Sequence, residues 1–313
     1  MIIAKPYSKD LKDQWNDFVD NAVNGHFMFN RDFMEYHSDR FQDASILFFG
    51  EDDSLLAIFP ANKYENTLCS HQGLTFGGII AGKKLTSAGF LEVFDELVRY
   101  ASLHGFEKIV YKRVPDFYTT LPAQYDLYAL FKNNACLYRR DINSTIDFLA
   151  EYKYTKGRKW SINKAKKNGV AVVEAQDPSQ FWKILSNVLV NRHGVKPTHS
   201  LDEISKLKEK FPNNIKIFTA ILDGEPIAGS LLFINKNVVH TQYMANTEYG
   251  RDIGALDYLI HVLLMKYCKE KRYFNFGIST EKEGRYINEG LLAQKEGFGA
   301  RCTVQDFYEI ELT

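Results

Sequence analysis

The sequence runs to 313 residues and is short of several things, each of which excludes a class of protein. Charge of one sign is absent. Lys+Arg 39 balance Asp+Glu 39, so the chain has no basic surplus of the kind that holds long nucleic acid by counterion release. A local basic patch is still allowed, and DNA is not an expected partner. The apolar runs, such as Ala228 to Ile234, fall far short of the roughly 20 residues that a membrane span requires. The start, Met1-Ile2-Ile3-Ala4-Lys5-Pro6-Tyr7, has no basic stretch followed by a long apolar one, so a signal peptide is not expected. Cysteine is scarce, and Cys69, Cys136, Cys268 and Cys302 are dispersed without CxxC spacing, which speaks against a disulfide framework or a zinc knuckle. They read as reduced core thiols of a cytoplasmic protein. What is present, 45% hydrophobic and 25% charged residues, suits globular cores and rules out a disordered chain. At about 100–200 residues per domain, two domains are the first guess.

Periodicity fills in the order. Leu11, Trp15, Phe18 and Val19 mark an opening helix, and Ile46–Phe49 and Leu55–Pro60 form a hairpin across Glu51-Asp52-Asp53-Ser54. Gly73-Leu74-Thr75-Phe76-Gly77-Gly78-Ile79-Ile80 reads as a bulged or closely approached strand. A helix from Ser87 to His104 buries Phe90, Val93, Phe94, Leu97, Val98 and Ala101, with Thr86 placed to cap it. The second half repeats hairpin, strand, helix, strand, helix, strand. Ile215–Leu222 meets Ile227–Ile234 across Asp223-Gly224-Glu225-Pro226, and Val238–Ala245, Gly254–Lys271, Tyr273–Gly277, Ile287–Glu296 and Thr303–Ile310 follow. A duplicated unit is the economical reading, with residues 1–150 as one domain and 151–313 as the other. A basic helix, Arg158 to Gly169, lies close to the boundary.

Three stretches carry a family resemblance: that basic helix, the run Gly254-Ala255-Leu256 through Tyr273-Phe274-Asn275-Phe276-Gly277-Ile278-Ser279-Thr280, and Asn288-Glu289-Gly290-Leu291 with Gln294-Lys295-Glu296-Gly297-Phe298-Gly299. In these the chain resembles the FemAB (FemABX peptidyltransferase-like) family, a tandem-domain branch of the GNAT N-acyltransferase superfamily. The resemblance implies an α/β (α+β) fold of two tandem GNAT-like domains, each a mixed, mostly antiparallel sheet flanked by helices. It implies an enzyme that transfers an acyl or aminoacyl group to an amine. Acyl-CoA is then the expected donor, with no metal, and an amino sugar or cell-envelope precursor, as in surface polysaccharide assembly, the expected acceptor. Relatives acting on peptidoglycan precursors with aminoacyl-tRNA often carry a coiled-coil arm, and no sustained heptad run exists here. An aminoacyl-tRNA-dependent transferase stays open as the alternative, as does a binding module that kept the fold and lost the chemistry.

Amine acylation needs a proton acceptor, donors at the developing oxyanion and a proton source for the leaving group. Strand alternation puts His240, Gln242 and Met244 on one face and Thr241 and Tyr243 on the other. His240 suits a base and Tyr243 a proton source, though a strand histidine also reads as structural. Ser279 and Glu281 follow a buried strand at its carboxyl end, where α/β sheets gather ligands. Glu281 becomes a base if desolvation raises its pKa, and N-capping is the plain alternative. Asn288 suits a substrate carbonyl. Arg251, Asp252, Ile253 and Gly254 stand between a strand and a long helix, as the GNAT pyrophosphate loop does, and can offer N–H groups to a diphosphate. In the loop after an amphipathic helix, Arg192 suits a carboxylate or phosphate, and His193 and His199 an acceptor. Those histidines lack a carboxylate pattern for metal. The resemblance places Arg158 near an anionic acceptor. His71, Lys112 and Arg113 are further candidates in the first half.

Overall fold

The structure, a computed structural model, describes residues 2–312, with the side chains of Arg192 and His193 outside the description. Contacts divide the chain into two units, the first running to Asp141 and resuming at Lys282–Arg285 and from Val304 onward, the second comprising Ile142–Glu281 and Tyr286–Thr303.

In the first unit, Thr86 caps the helix Ser87–Leu103 by accepting the Gly89 N–H at 3.1 Å. Its apolar stripe, Phe90, Val93, Phe94, Leu97 and Ala101, is buried as its spacing requires. It packs into one core with Ile46, Phe48, Phe59 and Tyr111 from the strands. One sheet has the order Ile3–Pro6, Ile46–Phe49, Leu55–Phe59, Ile80–Ala81. The Gly73–Ile80 stretch is not the expected strand. It is irregular up to Ile79, and a Cβ on Gly73 would stand 2.2 Å from His37 Nε2 and one on Gly77 2.7 Å from the Ser70 carbonyl. The glycines there serve close approach of chain to chain. Strand Lys108–Lys112 pairs antiparallel with Phe307–Glu311.

The second unit is built, in chain order, from β1 (Cys136–Asp147, from residue 142), α1 (Lys156–Lys167), β2 (Ala171–Ala175), α2 (Ser179–His193), α3 (Leu201–Lys210), β3 (Ile215–Leu222) and β4 (Glu225–Ile234). It continues through β5 (Val238–Asn246), α4 (Glu248–Ile253), α5 (Ala255–Tyr267), β6 (Tyr273–Ile278), α6 (Glu289–Glu296) and β7 (Arg301–Glu311, to residue 303). The strands lie in the order β2-β3-β4-β5-β6-β1. All neighbours are antiparallel except β5 and β6. Asp223 and Gly224 both take positive φ, 51° and 84°, the turn that a two-residue hairpin loop favours. Helix α5 buries Leu256, Leu259, Ile260, Leu263 and Leu264 into the core formed with α1 and the sheet.

The thiols are free, as expected, but not all are core groups: Cys69 is buried, whereas Cys136 and Cys302 are exposed. Among the described residues no helix is long and apolar enough to cross a membrane, and no cluster of metal-ligating side chains occurs.

Candidate functional site

The site begins where β5 and β6 part. They pair in parallel only at Val238–Tyr273, Val239–Phe274 and His240–Asn275, yet β5 continues to Asn246 and β6 to Ile278. A wedge therefore opens with His240 and Asn275 at its apex.

A second irregularity lies on the other edge of β5. Leu231 pairs with Tyr243 and Leu232 with Thr241, so Gln242 is the extra residue of a β-bulge. A bulge shifts the alternation of side chains by one. Met244 consequently packs against the apolar core, and Tyr243 turns to Trp182 of α2, ring centroids 5.5 Å apart. This corrects the expected faces. Gln242 hydrogen-bonds to both His240 and Tyr243, and Tyr243 Oη lies 2.8 Å from His199 Nδ1. His199, Tyr243, Gln242 and His240 thus form one polar chain.

Burial pushes the His240 pKa down to about 4, against the opposing hydrogen bond that it donates to Asn275 and with the help of the Lys295 charge. Burial raises the Tyr243 pKa, keeping the phenol protonated. Lys295 of α6 is buried, and its Nζ donates to the carbonyls of Gly277 at 3.0 Å and Ile278 at 2.5 Å. Burial brings its pKa down to about 8. Sequence reasoning assigned it no role, because nothing in the Gln294–Gly299 spacing tells a buried lysine from a solvated one. The Ser279 hydroxyl is buried without a hydrogen-bond partner, while its backbone N–H donates to Ile142 at 2.8 Å.

Other candidates stand differently. Glu281 is exposed and accepts from Asn288 Nδ2 at 2.9 Å, so the desolvated setting expected for it is not found. Asn288 also caps α6, accepting the Leu291 N–H at 3.0 Å. Arg192 and His193 end α2, and their side chains lie outside the described residues. The segment Arg251–Ile253 is not an open loop but part of α4. There the Arg251 N–H donates to Thr247 at 3.0 Å and the Gly254 N–H to Arg251 at 3.1 Å. The N–H groups left to an anion are those of the first turn of α5, which has no side-chain cap.

That helix start opens on a cavity of about 830 Å³, lined by Arg251, Gly254, Asp257, Arg158, Trp160 and Asn288 among others. Its size and its helix N-terminus suit a diphosphate-bearing thioester. One feature opposes this. Asp257 places a carboxylate in the first turn, and Arg158 is bound to it, Nη1 lying 2.6 and 2.7 Å from the two carboxylate oxygens. Trp160 is 65% exposed at the same cavity, with Lys164 Nζ 5.1 Å from its ring centroid.

The family model described as "Acetyltransferase (GNAT) domain" matches residues 159–286. No curated protein matches the sequence. Among solved structures, FemX superposes with a TM-score of 0.69 at 11% identity, covering 99% of this chain and 97% of FemX. The C-terminal domain of a putative lysylphosphatidylglycerol synthetase from Agrobacterium fabrum gives 0.64 at 12% identity, over 96% of this chain and 92% of that one. A tandem GNAT protein from the clavulanic acid biosynthesis pathway gives 0.52 at 10% identity, over 100% and 99%. At such identities the likeness is one of fold. The chain therefore has the tandem GNAT fold that it shares with FemX, as the FemAB resemblance of its sequence implied.

Proposed function

We propose that this protein is an N-acyltransferase that moves an acyl group from acyl-CoA to the amino group of an amino sugar or cell-envelope precursor. The observation that carries the reading is the wedge between β5 and β6, with a polar apex at His240 and a cavity at the start of α5. The N–H groups of that first turn and Arg251 would receive the diphosphate. The neutral His240 imidazole accepts the amine proton as the C–N bond forms. The Lys295 charge favours the developing oxyanion. As the C–S bond breaks, the Tyr243 phenol supplies a proton to the sulfur and is reprotonated from solvent, to which the His240 imidazolium releases its own.

A second reading, transfer from aminoacyl-tRNA, is favoured by the Arg158–Asp257 pair. A carboxylate in the first turn of α5 opposes the doubly charged diphosphate of CoA more than it opposes the single charges of a phosphodiester. Both donors carry an adenosine, and Trp160 offers its ring to either one. It is also the one exposed tryptophan, since Trp15 and Trp182 are buried. Titration with acetyl-CoA is expected to quench Trp160 fluorescence and raise the melting temperature, with about 2.7 kcal/mol of stabilisation at a hundredfold excess over Kd. A response to charged tRNA and to no CoA thioester would replace the first reading by the second.

A further inference from the structure

We propose that Asn275 is a positioning residue that holds His240 in its Nδ1-protonated tautomer, so that Nε2 carries the lone pair presented at the apex of the wedge. The proposal rests on the acyl-transfer reading for its purpose but not for its geometry.

The argument is one of donors and acceptors. Asn275 is buried, and five protein groups surround its amide. The Gly277 N–H lies 2.9 Å from Oδ1, and a backbone N–H can only donate. On the other side Nδ2 donates to Thr145 Oγ1 at 2.8 Å and approaches Asn143 Oδ1 at 3.4 Å and the Ser144 carbonyl at 3.5 Å, and a backbone carbonyl can only accept. Flipping the amide would set donor against donor and acceptor against acceptor, so its orientation is fixed from both ends. Thr145 is itself tied to Thr303, the hydroxyls 2.8 Å apart. The atom facing His240 Nδ1 at 2.7 Å is therefore Oδ1, an acceptor, and Nδ1 must bring the hydrogen. With one proton on the neutral ring, Nε2 is left as the acceptor, and the Gln242 bond falls there, where its amide can turn its N–H to the neutral ring and its oxygen to the imidazolium.

Two backbone features build this cradle. The β6–β1 pairing shifts register between Asn275 and Ile278, which frees the Gly277 N–H to turn back on the Asn275 side chain. Gly277 takes φ +74°, and a Cβ there would press to 3.2 Å from His240 Cε1. The choice of amide over carboxylate matters too. A neutral acceptor orients the ring without the full charge that would hold it as imidazolium, and Lys295 is the charged group whose field the imidazole feels. In the reaction, Nε2 takes the proton released as nitrogen bonds to the acyl carbon. The imidazolium keeps both ring hydrogens until Nε2 releases its proton to solvent, Tyr243 having protonated the leaving sulfur, or the ribose oxygen of an ester donor.

The test is nitrogen NMR of the full-length protein labelled with ¹⁵N-histidine, the His240 signals assigned by their loss in His240→Gln. The wild-type spectrum is expected to show a protonated Nδ1 and an unprotonated Nε2. Asn275→Ala should lose that preference and lower kcat about tenfold to hundredfold with little change in KM. Asn275→Asp should keep the tautomer and move the acid limb of the pH profile upward. A wild-type Nε2–H tautomer overturns the proposal whether or not any variant folds. So does an Asn275→Ala protein that turns over at the wild-type rate. Absence of turnover with every donor, together with the expected tautomer, counts against the acyl-transfer reading and leaves the positioning role standing.

Discussion

Among the described residues no carboxylate pairs with the buried Lys295, and desolvation bears on it and on the half-buried His240 in the same direction, against the charged form. Each has a folded pKa below its ordinary value. His240 is therefore neutral above about 4, and Lys295 is charged below about 8. If His240 accepts the proton and Lys295 favours the oxyanion, kcat/KM should rise through the first value and fall through the second. Lys295→Met should abolish the alkaline limb and cost about a hundredfold in kcat/KM while the melting curve stays cooperative. A profile unchanged by the substitution would remove Lys295 from the chemistry. In stability terms the sign is the same for both groups. The folded state resists protonating them, so stability is lost as pH falls through the folded value and fully present above the unfolded one. His240 was legible in the sequence as one of several polar residues crowded on the strand Val238–Ala245. Its tautomer was not, because Asn275 lies on another strand and no spacing rule links the two.

At the level of the element, Gly254 joins α4 to α5 in the left-handed region at φ +82°, and a Cβ there would fall 2.3 Å from Ser161 Oγ and 2.5 Å from its carbonyl. Gly254→Ala should cost about 1–3 kcal/mol, visible as a lower melting temperature, because α1 cannot retreat without moving the Arg158–Asp257 pair. The helices α1 and α5 and the hairpin β3–β4 were readable in the sequence, α1 as a basic run closed by Asn168-Gly169, α5 by its apolar spacing and the hairpin by its Asp223-Gly224 turn. The face of Tyr243 was misread for a physical reason. Alternation assumes an unbroken ladder, and the bulge at Gln242 is set by the partner strand rather than by residues near it. The short helix α4 was missed in the same way. Its Thr247 cap, which accepts the Gly250 N–H at 2.9 Å, stands in a stretch whose glycines suggested an open loop.

For the whole molecule, the duplicated order of elements showed in the sequence, but the return of the chain to its first unit did not. Residues from Val304 onward belong with that unit, where Phe307–Glu311 pairs with Lys112–Lys108. Residues 1–141 expressed alone should therefore lack a cooperative melting transition, and adding a peptide spanning residues 301–313 should restore one. A sharp transition without the peptide would show that this strand is dispensable. The late arrival of that strand also bears on biosynthesis. Roughly 190 residues separate Lys112 from Val304, and a ribosome adding about 5–20 residues per second reaches the missing strand roughly 10–40 s after its partner emerges. Through that interval the edge of Lys108–Lys112 awaits its mate, which makes this nascent chain a natural client for a chaperone that shields open strands until translation ends.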